Sequence, residues 1–355
     1  MSSATPADLR VAILGYGIGG RGFHAPLVRA TPGLTVAAIV TSHPDRVRQA
    51  AAEHPDARIV ADVDALFGQP DRVDLVVVAT PNRTHVPIAM RAVGLGIPVV
   101  VDKPFAPTAA EATELIEAAA AAGVALTVFH NRRLDSDFRT VRAVLDSGRL
   151  GTVFRFESRF DRWRPRPKGT WRDAGAPAEA GGLLYDLGSH LIDQAVQLFG
   201  PVGQVYAELD QRRPGASVDD DIFLALRHRG GVRSHLWSST LAATRNPRFR
   251  VLGDQAAFTK YGLDVQEAQI LAGIRPGDRG WGVEPAADQG VLGVGEEVVR
   301  VPTETGCYQR FYEQMRDALH GAGPVPVDPA DARHTAEVID AARISAARQL
   351  VVPLA

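Results

Sequence analysis

The chain has 355 residues, 45% hydrophobic and 23% charged, with 39 lysines and arginines against 41 acidic residues. That balance belongs to a folded protein of about two domains, and a formal net charge of -2 gives no electrostatic case for binding nucleic acid or an anionic membrane. The single cysteine, Cys307, excludes an internal disulfide and a cysteine zinc cluster; with no signal-like leader or membrane-length apolar run, the sequence predicts a cytoplasmic protein without a metal.

Residues 11–14 form a short apolar run that ends in Gly15-Tyr16-Gly17-Ile18-Gly19-Gly20, followed by a helix-like segment. Gly15, Gly17 and Gly20 have the spacing of a dinucleotide-binding turn. Two glycines permit a tight turn and the close approach of a pyrophosphate, the third lets a helix pack closely, and the helix start near Ile18 supplies N–H donors. A second run, residues 34–40, ends in Thr41-Ser42-His43 with Arg46 close behind. An NAD-binding turn carries an Asp or Glu at this place to grip the ribose hydroxyls. Small hydroxyl side chains and an arginine instead suit a 2′-phosphate, which favours NADP(H) over NAD(H), although Ser42 would equally serve to cap a helix beginning near Pro44.

Further runs at residues 73–79, 98–101 and 124–129 alternate with helix-like segments such as residues 111–122, predicting a parallel sheet covered on both faces. The strand ends carry Thr80-Pro81-Asn82, Asp102-Lys103-Pro104 and His130-Asn131-Arg132. In an open parallel sheet these carboxyl ends form the ligand crevice. Lys103 stands out because the chain contains only three lysines, the others being Lys168 and Lys260. An amine, unlike a guanidinium, can lose its proton when desolvated beside another cation. A solvated lysine after a strand is the plainer reading, and the polar edge around Lys103 weighs against it.

From Asp135 the pattern changes. A helix is predicted over residues 136–147, then a half-buried, antiparallel strand over 152–160 with Phe154, Phe156 and Phe160 on one face and Arg155, Glu157 and Arg159 on the other. Asp161-Arg162-Trp163-Arg164 continues it, and Asp161 and Arg162 are candidates to line a polar substrate pocket. Residues 181–197 read as one helix on which Asp186 and His190, four apart, share a face. An imidazole exchanges protons near neutrality, so the pair is a catalytic candidate, a structural Asp/His pair being the commoner arrangement. Strands are predicted at 203–210, 222–227, 231–238, 249–253 and 256–261, a glycine-rich loop at 277–295, and helices at 307–319 and from Asp328-Pro329 to about 350.

Taken together, GYGIGG, TPNRTH at residues 80–85, VDKPF and YDLGSHLIDQ resemble the Gfo/Idh/MocA oxidoreductases, and GYGIGGRGFHAPL, FHNRRLDSDF, ESRFDRWRP, RPGAS and KYGLD are similar to a bacterial subgroup that includes NADP-dependent scyllo-inositol dehydrogenases. The resemblance implies a Rossmann domain over residues 1–130, followed by an α/β domain over 131–355 whose large open, mostly antiparallel sheet often forms the interface of a homodimer or homotetramer. Lys103 matches the lysine of the family's Glu-Lys-Pro motif, with Asp102 replacing the glutamate. Asp186 and His190 match its catalytic pair, and Asn82, His85 and Asn131 match positions near the nicotinamide or its ribose. The Lys103-Pro104 bond is a candidate for the cis form. The implied activity is oxidation of a secondary alcohol on a cyclic polyol or sugar. The alternatives are a linear or phosphorylated sugar, which Arg159, Arg162 and Arg164 keep open, another carbohydrate or a non-carbohydrate carbonyl substrate, and a non-catalytic NADP-sensing regulator.

Overall fold

The computed structural model describes residues 8–167 and 179–355. Six strands, β1 (Leu9–Leu14), β2 (Leu34–Val40), β3 (Arg58–Val60), β4 (Leu75–Val78), β5 (Val99–Val101) and β6 (Leu126–Val128), form a wholly parallel sheet in the order β3-β2-β1-β4-β5-β6. The central strands are nearly unbroken runs of Val, Ile, Leu and Ala because both faces are covered. The covering helices are α1 (Ala25–Arg29), α2 (Pro44–Glu53), α3 (Val63–Phe67), α4 (His85–Gly94) and α5 (Ala109–Ala122). Strand order reverses between β1 and β4, so the crevice at their carboxyl ends is the switch point at which such sheets bind ligands.

The helix expected after the glycine turn begins as a π-helical stretch, Ile18–His24, before α1. The three-residue edge strand β3 was not anticipated; it is too short to show a periodic pattern.

After α6 (Ser136–Asp146), a second sheet of nine strands has the order β14-β13-β12-β11-β7-β10-β9-β8-β15. Its members are β7 (Val153–Arg159), β8 (Val202–Asp210), β9 (Asp221–His228), β10 (Arg233–Ser239), β11 (Phe249–Gly253), β12 (Ala257–Lys260), β13 (Gly290–Val294), β14 (Glu297–Val301) and β15 (Val352–Pro353). Helices α7 (Ser189–Phe199), α8 (Gln266–Leu271), α9 (Gln309–Leu319) and α10 (Pro329–Arg348) complete the described structure.

Three expectations need correction here. β7 lies between an antiparallel neighbour, β11, and a parallel one, β10. Phe154 is 49% exposed although Phe156 and Phe160 are buried. The register between β7 and β11 breaks where Leu252 pairs with Arg155 and Gly253 with Val153, so Phe154 is skipped. The segment 277–295 is not all loop, because its end forms β13, which pairs with β14. Its glycine content reflects packing there: a Cβ on Gly290 would lie 2.4 Å from the Phe258 ring.

Each sheet has its own apolar core, and α10 belongs to both, with Ala332 in the first and Val338 and Ile339 in the second. Asp328 caps α10 by accepting from Ala330 N at 2.8 Å. Asp340 accepts from Ala109 N, and Ser345 Oγ from Ala207 N, both at 2.9 Å. Phe311, Tyr312 and Met315 of α9 fill the first core.

Candidate active site

The glycine turn is tight on its protein side and open on the other. Gly15 has φ +96°, and a Cβ on it would lie 2.5 Å from Ala79 O; one on Gly20 would lie 1.9 Å from Gly15 O. At Gly17 the nearest atom to such a Cβ is Arg46 Nη1, at 3.9 Å. The turn therefore leaves a cradle where a pyrophosphate could meet main-chain N–H groups, with a guanidinium at its side. Ser42 is exposed and does not cap α2; His43 does, its Nδ1 accepting from Asp45 N. Arg46 lines a cavity of about 710 Å³ that also reaches Gly17 and Ile18.

Beyond Ile18 a second cavity, of about 370 Å³, is walled by Lys103, Asn131, Arg162, Asp186 and His190. β5 delivers Lys103, and the Lys103-Pro104 peptide that follows is cis. Lys103 Nζ donates to Asp186 O at 2.7 Å and to Asp186 Oδ1 at 2.9 Å. The helix read over residues 181–197 instead opens with a π-helical turn, Leu184–Gly188, which joins α7. That wider turn disturbs the plain four-residue alignment, and the Asp186 carboxylate engages Lys103, not the imidazole.

His190 lies in the first turn of α7, 4% exposed. Its Nδ1 is buried without a hydrogen-bond partner, which leaves Nε2 as the nitrogen available to a cavity ligand. Burial first, then the charges of Lys103 and Arg132, hold its pKa well below the ordinary value of 6.5, so the ring is neutral. Burial also pushes Asp102 up, but His24, Lys103 and His85 outweigh it and bring the carboxyl down to about 2. Asp102 Oδ1 accepts from Lys103 N at 2.8 Å, and Oδ2 lies 3.7 Å from His24 Nε2.

The other predicted residues separate into groups. Thr80 and His85 brace the turns around Lys103: Thr80 Oγ1 accepts from Thr84 Oγ1, and the buried His85 ring sits between the carbonyl oxygens of Pro104, at 2.8 Å, and Thr80, at 2.9 Å. Asn82, next to Pro81, donates to Ala180 O at 2.9 Å, and Thr41 is buried with its N–H on Val60 O. None of these five lines either cavity, nor does Asp161, which accepts from Asn246 Nδ2 at 3.0 Å. Lys168 lies outside the described residues.

Two family models match the chain: an oxidoreductase family NAD-binding Rossmann fold over residues 9–130, and a GFO/IDH/MocA C-terminal domain over 138–259. The chain belongs to the Gfo/Idh/MocA oxidoreductase family. As a member it is an NAD(P)-dependent dehydrogenase. It is 41% identical to the uncharacterized oxidoreductase YdgJ of Escherichia coli, over 98% of this chain and 99% of that one. It is 32% identical to the scyllo-inositol 2-dehydrogenase (NADP(+)) IolW of Bacillus subtilis, over 98% and 96%. The solved structure of the Bacillus subtilis oxidoreductase yvaA superposes with a TM-score of 0.92 at 31% identity, covering 99% of this chain and 100% of that one.

In this Gfo/Idh/MocA chain, sequence reasoning missed part of the wall. Arg132, held by Glu267 of α8 at 2.8 Å, lines the cavity, as do Ile270 and Leu271. Arg132 followed a strand end and was legible in principle; α8 is over 130 residues away and carries no motif. His24, buried against Tyr312 Oη at 2.6 Å, was likewise unmarked.

Proposed function

We propose that this protein catalyses the reversible, NADP(H)-dependent oxidation of a secondary alcohol on a cyclic polyol or sugar of the scyllo-inositol kind. The observation that carries the reading is the state of Lys103. Its ammonium has three donors, two are spent on Asp186, and the third is left for an oxygen in the cavity that His190 also borders. Gly15, Gly17, Ile18 and Gly20 hold the dinucleotide, while Ser42 and Arg46, with no acid after β2, favour the 2′-phosphate of NADP(H), NAD(H) being the second choice. Asn131, at the cavity wall, faces the nicotinamide end.

NADP⁺ bound there supplies the hydride acceptor. As the carbinol carbon gives up hydride, its hydroxyl loses a proton to His190 Nε2, and Lys103 donates a hydrogen bond to the oxygen that becomes the carbonyl. The cations that disfavour an imidazolium also stabilise the alkoxide-like oxygen, so donor and acceptor pKa values fall together. Asp186 fixes Lys103 in place. The chain divides near residue 130 into cofactor-binding and substrate-binding domains, and the outer face of the second sheet joins copies into a dimer or tetramer. Among the described residues no helix is long and apolar enough to cross a membrane, and a cytoplasmic location suits the free Cys307.

The test is initial-rate nicotinamide reduction with scyllo-inositol, myo-inositol and simple sugars, each with NADP⁺ and NAD⁺. Turnover of a polyol, faster with NADP⁺, is expected. Silence across the panel, and with phosphorylated and carboxylated polyols and sugars as well, by enzyme that still binds NADPH would overturn the reading.

A further inference from the structure

We propose that the preferred polyol carries an anionic substituent, a carboxylate or a phosphate monoester, which the guanidinium groups of Arg162 and Arg164 hold at the cavity wall. This rests on reading the cavity as the polyol site.

The wall is built by the extended segment after β7. Arg162 N donates to Ser239 O at 2.8 Å and Arg164 N to Thr240 O at 2.7 Å, while Trp163 bridges to Leu241 and is 58% exposed. Alternation along an extended chain sends residues 162 and 164 to one side and 163 to the other. Both arginines line the cavity.

The other cations around them are already matched. Lys103 is paired with Asp186 at 2.9 Å, Arg132 with Glu267 at 2.8 Å, and Arg213 with Asp220 at 2.9 Å. Asp219, also on the wall, accepts from Leu184 N at 2.7 Å. Arg162 and Arg164 form no ion pair with a described residue, and the Arg162 guanidinium lies over the Phe160 ring, 5.0 Å from its centroid. Burial lowers the Arg162 pKa, and the opposing carboxylates that act on it, Asp186 and Glu267, are engaged by Lys103 and Arg132.

A half-buried guanidinium without an anion retains its desolvation cost, and an anionic ligand that completes the pair recovers it. A neutral polyol would leave the Arg162 fork unmatched, while the exposed Arg164 adds a second, solvated fork at the rim of the same wall. The dinucleotide's phosphates do not supply the missing charge, because the glycine turn and Arg46 are their place in the reading above. Carboxylate and phosphate both present the paired oxygens that a planar guanidinium binds bidentately.

The experiment is calorimetric titration of the NADPH-loaded enzyme with matched compounds: myo-inositol against myo-inositol 1-phosphate, and glucose against glucuronate and glucose 6-phosphate. In at least one set an anionic member should bind about tenfold or more tightly than its neutral counterpart, as expected for a charge-assisted hydrogen bond. The preference should collapse toward unity in Arg162→Gln and recover in part in Arg162→Lys, with NADPH binding as the folding control. Equal affinities within every set, or a preference that survives both Arg162→Gln and Arg164→Gln, would overturn the proposal. The carboxylate and phosphate arms identify the anion. An anion preference in binding without NADP⁺ reduction would support this inference and overturn the reading of the site as one of polyol oxidation, so the two failures are distinguishable.

Discussion

Lys103 and Lys260 are both paired with a carboxylate, yet they sit in opposite kinds of place. Lys260 is fully buried and spends every donor, on Glu284 Oε2 at 2.5 Å, Asp288 O at 3.0 Å and Tyr261 O at 3.3 Å. Around it Ser136 Oγ lies 2.7 Å from Asp264 Oδ2 and 2.5 Å from Glu284 Oε1, closing a buried polar network. Lys103 makes two such bonds and faces open space. Burial of charge therefore does not mark a site; an unspent donor beside a cavity does.

The largest expected effect tests that contrast directly. Lys103→Ala should lower kcat about 10²- to 10³-fold, the cost of removing one transition-state hydrogen-bond donor, while leaving the NADPH dissociation constant close to wild type. Lys260→Met should do the reverse, costing about 3–5 kcal/mol of stability by breaking a buried pair, read as a lowered Tm with kcat kept in the folded fraction. Comparable kcat losses in both variants would break the comparison.

A smaller effect concerns pH. The active form of His190 in alcohol oxidation is the neutral ring, and its folded pKa lies well below 6.5. The kcat/KM profile should therefore show no limb from this group above pH 6.5 and fall only in more acid solution. A limb at or above 6.5 that disappears in His190→Asn would refute the assignment. Smaller again, Arg46→Ala should reduce the preference for NADP⁺ over NAD⁺ by about 10- to 100-fold, the worth of one charge-assisted hydrogen bond, as measured by the ratio of the two kcat/KM values.

The parts of the molecule legible in the sequence are those whose cause is local. A glycine whose Cβ would strike a carbonyl, as at Gly20, writes itself into a spacing, and doubly covered strands write themselves into apolar runs. The polar ends of β4, β5 and β6 followed once the sheet was read as parallel. What was hidden depends on distant partners: the Arg132–Glu267 pair, the His24–Tyr312 contact under Asp102, and the parallel β7–β10 pairing. Asp161 and Arg162 show the limit at one step of the chain. Alternation separates them, but only the hydrogen bonds to Ser239 and Asn246 decide which of the two meets the cavity.

The place of α10 bears on how the working molecule is made. Val327 O, just ahead of it, and Asp340 within it fasten it to β6 and α5, while His334 Nε2 and Ser345 Oγ fasten it to β8. Arg133, next to the cavity residue Arg132, joins Asp193 of α7 to Asp331 of the same helix. Apart from the terminal segment that carries the edge strand β15, the partners of α10 are translated before it. The first sheet and all of the second but β15 can form as the chain emerges, while the clamp that sets one against the other arrives later, so a growing chain carries the parts of its active site well before it carries the site.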